Sequence, residues 1–177
     1  MYHHMVPDGQ DCNDMTVTPG KFRADLETVL AMGYTPVLPR ELAAGDALPE
    51  KPILITFDDG YYNNYLNAYP LLQKYGMKAV LSIIVGETDK YSGLDENKES
   101  YSHVTWDMVN EMRESGLVEI QNHTYNLHKT GAPRRGAAQR RDETTEQYFA
   151  AVGADLQKAQ DRIEEMTALM GGDGRLR

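Results

Sequence analysis

Apolar positions along this chain follow two rhythms that take turns. Short apolar runs at residues 2–6, 34–38, 53–57, 79–85 and 117–121 have the length and the β-branched or aromatic content of strands. Between them, apolar residues recur every three or four positions. Phe22, Leu26, Val29 and Leu30 do so behind Thr18-Pro19, an N-cap with a proline at the first helical position, and Gly33 closes that helix. Tyr65, Tyr69 and Leu72 mark a second helix with Gly76 as its stop. Trp106, Val109 and Met112 mark a third, capped by Thr105 and ended by Gly116. A long helix over 145–170 carries Tyr148, Val152, Leu156, Ala159, Ile163, Met166 and Met170, and Thr144 and Gln147 stand at capping-box spacing before it.

The alternation predicts an α/β domain with a largely parallel sheet. The run at 53–57 is continuously apolar, which predicts a strand buried on both faces. Residues 45–51 read as a loop, and the polar stretch 87–103 reads as a long surface loop. A basic loop follows with Arg134, Arg135, Arg140 and Arg141, solvated by default. The length suits one domain over 1–177. The last helix runs into Gly171-Gly172 with no strand after it, whereas a crossover helix leads back to its sheet. The domain is therefore expected to be incomplete.

Composition narrows the partners. A hydrophobic share of 41% with 25% charged residues is that of a soluble globular chain. No apolar run approaches the roughly 20 residues that span a bilayer, and the start lacks a signal-peptide pattern. The net charge of −9 argues against nucleic acid, whose binding rests on phosphate neutralisation. Cys12 alone makes no internal disulfide or cysteine-rich zinc site. Its acidic neighbours Asp11 and Asp14 disfavour a reactive thiolate, so it reads as a loop bystander.

Two segments carry candidate chemistry, and each directly follows an expected strand, the edge where α/β folds build sites. Asp58-Asp59-Gly60 puts adjacent carboxylates after the 53–57 run. By itself Asp-Gly is common turn chemistry. Both carboxylates reach one pocket only if the chain bends there, and Gly60 eases such a bend. His123-Thr124-Tyr125-Asn126-Leu127-His128 follows the 117–121 run. A separation of five puts two imidazoles on no common face of a helix or strand, so a shared ion needs a loop curled around it. Thr124 and Asn126 are suited to hold such a loop by side-chain bonds to its backbone. One of the two aspartates, taken with His123 and His128, makes two histidines and one carboxylate, a ligand count typical of catalytic zinc with an open position. The other aspartate is left over as a base, and metal-assisted hydrolysis of an amide or ester is the matching reaction class.

Thr56-Phe57-Asp58-Asp59-Gly60 and His123-Thr124-Tyr125-Asn126-Leu127-His128 resemble the first two signatures of the NodB-homology polysaccharide deacetylases, carbohydrate esterase family 4. The resemblance implies a distorted (β/α) barrel with Asp58 as general base. It implies a divalent ion, zinc foremost, on Asp59, His123 and His128, with Thr124 steadying the loop. The family more often separates its histidines by four positions. The five-step form with Tyr-Asn-Leu is similar to the branch that deacetylates poly-N-acetylglucosamine exopolysaccharides. Tyr2-His3-His4, Thr18-Pro19, Gly33-Tyr34 and Thr105-Trp106 extend the likeness over most of the chain. A polysaccharide or oligosaccharide substrate and an extracytoplasmic or cell-surface location are implied with it.

The family's later signatures, including a histidine that acts as general acid, find no match after His128. The resemblance thus implies the metal half of a site in a truncated domain; His4 and His103 are nearby candidates for a substitute acid, but each reads first as a structural or loop histidine. It also keeps open a non-catalytic carbohydrate-binding module of the same fold, and an acetylxylan-type metalloesterase. Tyr61 and Tyr62, next to Gly60, are candidates to line a sugar site or to pack over the sheet. Trp106 is expected in the core.

Overall fold

The computed structural model describes residues 1–45, 47–131 and 134–168. The elements run β1 (His4–Met5), β2 (Thr16–Val17), α1 (Pro19–Ala31), β3 (Thr35–Pro36), α2 (Pro39–Ala43), β4 (Pro52–Ile53) and β5 (Thr56–Phe57). A π-helical turn (Asn64–Ala68) leads into α3 (Tyr69–Tyr75), followed by β6 (Ala79–Ile83), α4 (Val85–Ser92), α5 (Trp106–Glu114), β7 (Val118–Asn122) and α6 (Thr145–Ala168). Met170 of the expected helical stripe and the glycine-rich tail lie outside the described residues.

All strand pairs are parallel. β5, β6 and β7 form a three-stranded sheet in that order, while β1 pairs with β2 and β3 with β4. A bridge between Tyr2 and Phe57 ties the N-terminal pair to β5. The core gathers Met5, Phe22, Leu26, Phe57, Leu81, Ile83, Val85, Trp106 and Val109 between the strands and α1, α3, α4 and α5. Among the described residues no helix is long and apolar enough to cross a membrane.

Helix ends follow local chemistry. Thr18 Oγ1 accepts from Lys21 N at 3.2 Å, and Thr105 Oγ1 accepts from Met108 N at 3.4 Å. Thr144 and Gln147 exchange the reciprocal bonds of a capping box, at 3.0 and 3.2 Å. Gly76 ends α3 at φ 61°.

Two expectations are corrected. The 53–57 run is not one doubly buried strand: Pro52–Ile53 pairs with β3, Thr56–Phe57 pairs with β6, and Leu54 between them is 43% exposed. One segment serves different neighbours at two levels, so no single ladder can run its length. The stretch 87–103 is not a continuous surface loop either. Its first part lies in α4, whose Val85, Thr88 and Tyr91 are buried, and its end is buried at Ser102 and His103. Spacing of three along one helical face buries these residues although Thr88 is polar.

Candidate metal centre

Asp58 and Asp59 leave the end of β5. The Asp58 N–H donates to Tyr2 O at 2.9 Å, and the chain then turns with left-handed backbone at Asp59 (φ 68°) and Gly60 (φ 76°). The bend expected at Gly60 thus begins one residue earlier, on an aspartate, at a cost of roughly 1–2 kcal/mol. Gly60 has a second constraint: a Cβ there would meet Ile83 Cγ2 at 2.9 Å. The Asp59 carbonyl is fixed from two sides, by Ile84 N at 3.2 Å and His103 Nδ1 at 3.0 Å. A carbonyl only accepts, so His103 donates from Nδ1. Burial lowers the His103 pKa and keeps the ring neutral; the ring stacks on Tyr91 and packs at a tilt against Tyr61.

His123 and His128 flank a loop beyond the end of β7. Thr124 has left-handed backbone at φ 74°. Its N–H donates to Asn122 Oδ1 at 2.8 Å, and its Oγ1 accepts from Leu127 N at 3.1 Å. The Asn126 side chain lines a neighbouring recess instead, while its backbone N–H donates to Asp155. The adjoining helix start is close: a Cβ on Gly86 would lie 2.5 Å from Tyr125 O.

These two segments bring three of the expected residues together. Asp59 Oδ1 lies 3.4 Å from His123 Nε2 and 3.2 Å from His128 Nε2, and one donor atom from each residue falls within 4.8 Å of the others. Asp59 is 3% exposed, and its Oδ1 has no hydrogen-bond partner among the described residues. A buried carboxylate oxygen without a donor is costly, and a cation bound there removes that cost. The donor set fits a divalent ion of the zinc type. Burial, the largest influence on the Asp59 carboxyl, raises its pKa, but His123, His128 and His3 outweigh it and hold the group below its ordinary value. The same contact with Asp59 raises His123, against the opposing effect of burial.

Asp58 faces a residue that the sequence did not single out. His3 Nε2 lies 3.8 Å from Asp58 Oδ2, and both side chains are mostly shielded. His4, one of the two histidines suggested as an acid, bonds instead to Ser100 O at 3.1 Å and packs edge-on against Tyr61. His103, the other, sits behind the Asp59 backbone. In the sequence, His3 stands within the expected 2–6 strand, in the Tyr2-His3-His4 segment of the family likeness.

A recess of about 270 Å³ opens beside His128, lined by Tyr61, Glu87, Tyr91, Tyr101, His103 and Asn126 among others. Tyr62 is not among its walls and stacks on Tyr65. Trp106 is buried, as expected, with Nε1 on Asp89 Oδ1 at 2.8 Å. In the basic loop Arg134 pairs with Glu143 and Arg140 with Asp142, so those charges are spent locally.

The profile of the family described as polysaccharide deacetylase matches residues 45–171. The chain is 34% identical over 128 residues to the Bacillus subtilis protein YxkH, covering 70% of this chain and 41% of that one. It is 30% identical over 136 residues to the poly-β-1,6-N-acetyl-D-glucosamine N-deacetylase of Escherichia coli, covering 72% of this chain and 20% of that one. The chain thus spans less than half the length of either relative. A solved de-N-acetylase from Aggregatibacter actinomycetemcomitans superposes with a TM-score of 0.77 at 26% identity, over 93% of this chain and 72% of that one. Sequence profile, relatives and α/β architecture agree, and the chain belongs to the polysaccharide deacetylase family.

Proposed function

We propose that this chain removes N-acetyl groups from an N-acetylglucosamine-containing polysaccharide, releasing acetate and leaving a free amine. The observation that carries the reading is the convergence of Asp59, His123 and His128 around an orphaned carboxylate oxygen, with the Asp58–His3 pair close by. The names of the Escherichia coli relative and the Aggregatibacter structure support an N-acetyl substrate.

In this reading Asp59, His123 and His128 hold a divalent cation, zinc foremost, with Thr124 and Asn126 in the supporting loop. The ion supplies Lewis acidity that acidifies water and polarises a carbonyl. Asp58 takes the proton from the attacking water at its carboxylate. The new C–O bond replaces the acetamide C–N bond, and the departing nitrogen needs a proton. His3 is the group beside Asp58 able to donate it. The aromatic recess next to His128 gives the polymer a place to lie. An extracytoplasmic or cell-surface location belongs to the same proposal.

Acetate release from N-acetylglucosamine oligomers, measured with and without a chelator, tests it. Chelator-sensitive release that is lost in Asp58→Asn supports the reading, and full activity of that variant removes the assigned base. Oligomer binding with no release at any metal concentration selects a non-catalytic module. Preference for acetylated xylan selects an esterase.

A further inference from the structure

The loop between His123 and His128 has no regular structure, so its shape depends on where its amides are satisfied. Every backbone N–H from His123 to Leu127 has an acceptor. His123 N donates to Ile83 O on β6, Thr124 N to Asn122 Oδ1 and Leu127 N to Thr124 Oγ1. The two in the middle end on one carboxylate. Tyr125 N donates to Asp155 Oδ1 at 2.8 Å, and Asn126 N donates to Asp155 Oδ2 at 3.0 Å.

Asp155 stands on α6, 30 residues beyond Tyr125. Neighbouring contacts seat the loop on the same stretch of helix. Asn122 Nδ2 donates to Leu156 O at 2.9 Å, and Lys158 Nζ lies 3.5 Å from the centre of the Tyr125 ring. The loop needs such support because Thr124 is held in a left-handed conformation that a β-branched residue avoids. Charge-assisted bonds to a carboxylate are the strong kind, and two on adjacent amides define direction as well as distance. Water could satisfy the same amides, but it would not fix where they point.

We propose that Asp155 is a positioning residue for the metal centre: by gripping the amides of Tyr125 and Asn126 it sets the approach of His123 and His128 to Asp59. The inference rests on the reading that these three residues hold a cation. Asp155 acts through the loop, so α6 is part of the machinery that determines metal affinity.

The test titrates the whole chain with Zn²⁺ against a chromophoric chelator and records the absorption spectrum with Co²⁺. Asp155→Ala and Asp155→Asn should weaken Zn²⁺ affinity on the order of 10- to 100-fold, as is usual when groups that orient ligands are lost, and should alter the Co²⁺ spectrum. Asp161→Asn, on the same helix, should leave both unchanged. Ile163→Val loosens the packing of α6 without touching the loop, so it should lower the melting temperature and keep the affinity. Wild-type affinity in the Asp155 variants would overturn the proposal. So would an equal loss in Ile163→Val, which would mean that helix docking alone matters. If the unaltered chain binds neither ion better than His128→Ala does, the metal site itself is refuted, a separate and visible failure.

Discussion

The His3 imidazole stands 3.8 Å from the Asp58 carboxylate, brought there by the parallel bridge between Tyr2 and Phe57. In the proposed reaction this pair serves as proton donor and proton acceptor side by side. Asn64 Nδ2 reinforces the placement by donating to His3 O at 2.8 Å.

His3→Gln should therefore lower the turnover of acetate release by about 10²- to 10⁴-fold, the usual worth of a general acid. Zn²⁺ affinity, read by chelator competition, should stay at the unaltered level, because His3 is not among the three proposed metal ligands. A matching loss of affinity would place His3 in that trio instead.

Metal should stabilise the fold. A cation that binds only the folded chain adds about 2.7 kcal/mol at a free concentration of 100 times its Kd. Thermal melts with Zn²⁺ and with excess chelator should differ accordingly. Asp59→Ala should abolish that difference.

Gly60→Ala should destabilise the chain by more than about 1 kcal/mol, since alanine is strained at positive φ. The added methyl also enters the space of Ile83 Cγ2. Gly153→Ala, in α6 with open space around it, should have the opposite sign, because alanine favours a helix. Denaturant midpoints of the two variants decide the matter.

Asp89 ties three elements together, accepting from Trp106 Nε1 at 2.8 Å, Tyr125 OH at 3.1 Å and Arg162 Nε at 2.9 Å. Burial alone would raise its pKa, but Trp106, Arg162 and Tyr125 together lower it below the ordinary value. The carboxylate therefore contributes stability in full above its unfolded pKa of about 3.9, and the contribution fades as pH falls through the lower folded value. Asp89→Asn should cost about 1–3 kcal/mol at neutral pH. The gap between variant and parent should close on acidification below about pH 4. A gap that widens in acid would contradict the assignment.

Much of this was legible along the chain, for reasons that are local. Thr18, Thr105 and Thr144 cap helices through residues three positions on, and Gly76 ends one by its own backbone freedom. Asp58, Asp59, His123 and His128 could be singled out because carboxylate and imidazole side chains follow apolar runs, where parallel strands end. α4 escaped notice because its buried face includes Thr88 and begins at Val85, which the apolar run before it had already claimed.

Sequence alone determined which residue types stand at the strand ends, and hence the chemistry available there. Tertiary structure decided which of them meet. His3 reaches Asp58 across a strand pairing, and Asp155 reaches the histidine loop from a helix 30 residues on. The 53–57 run is divided between two ladders because each half found a different neighbour. Spacing records only what one stretch of backbone can do with itself, whereas these contacts arise when packing brings distant segments within hydrogen-bond range.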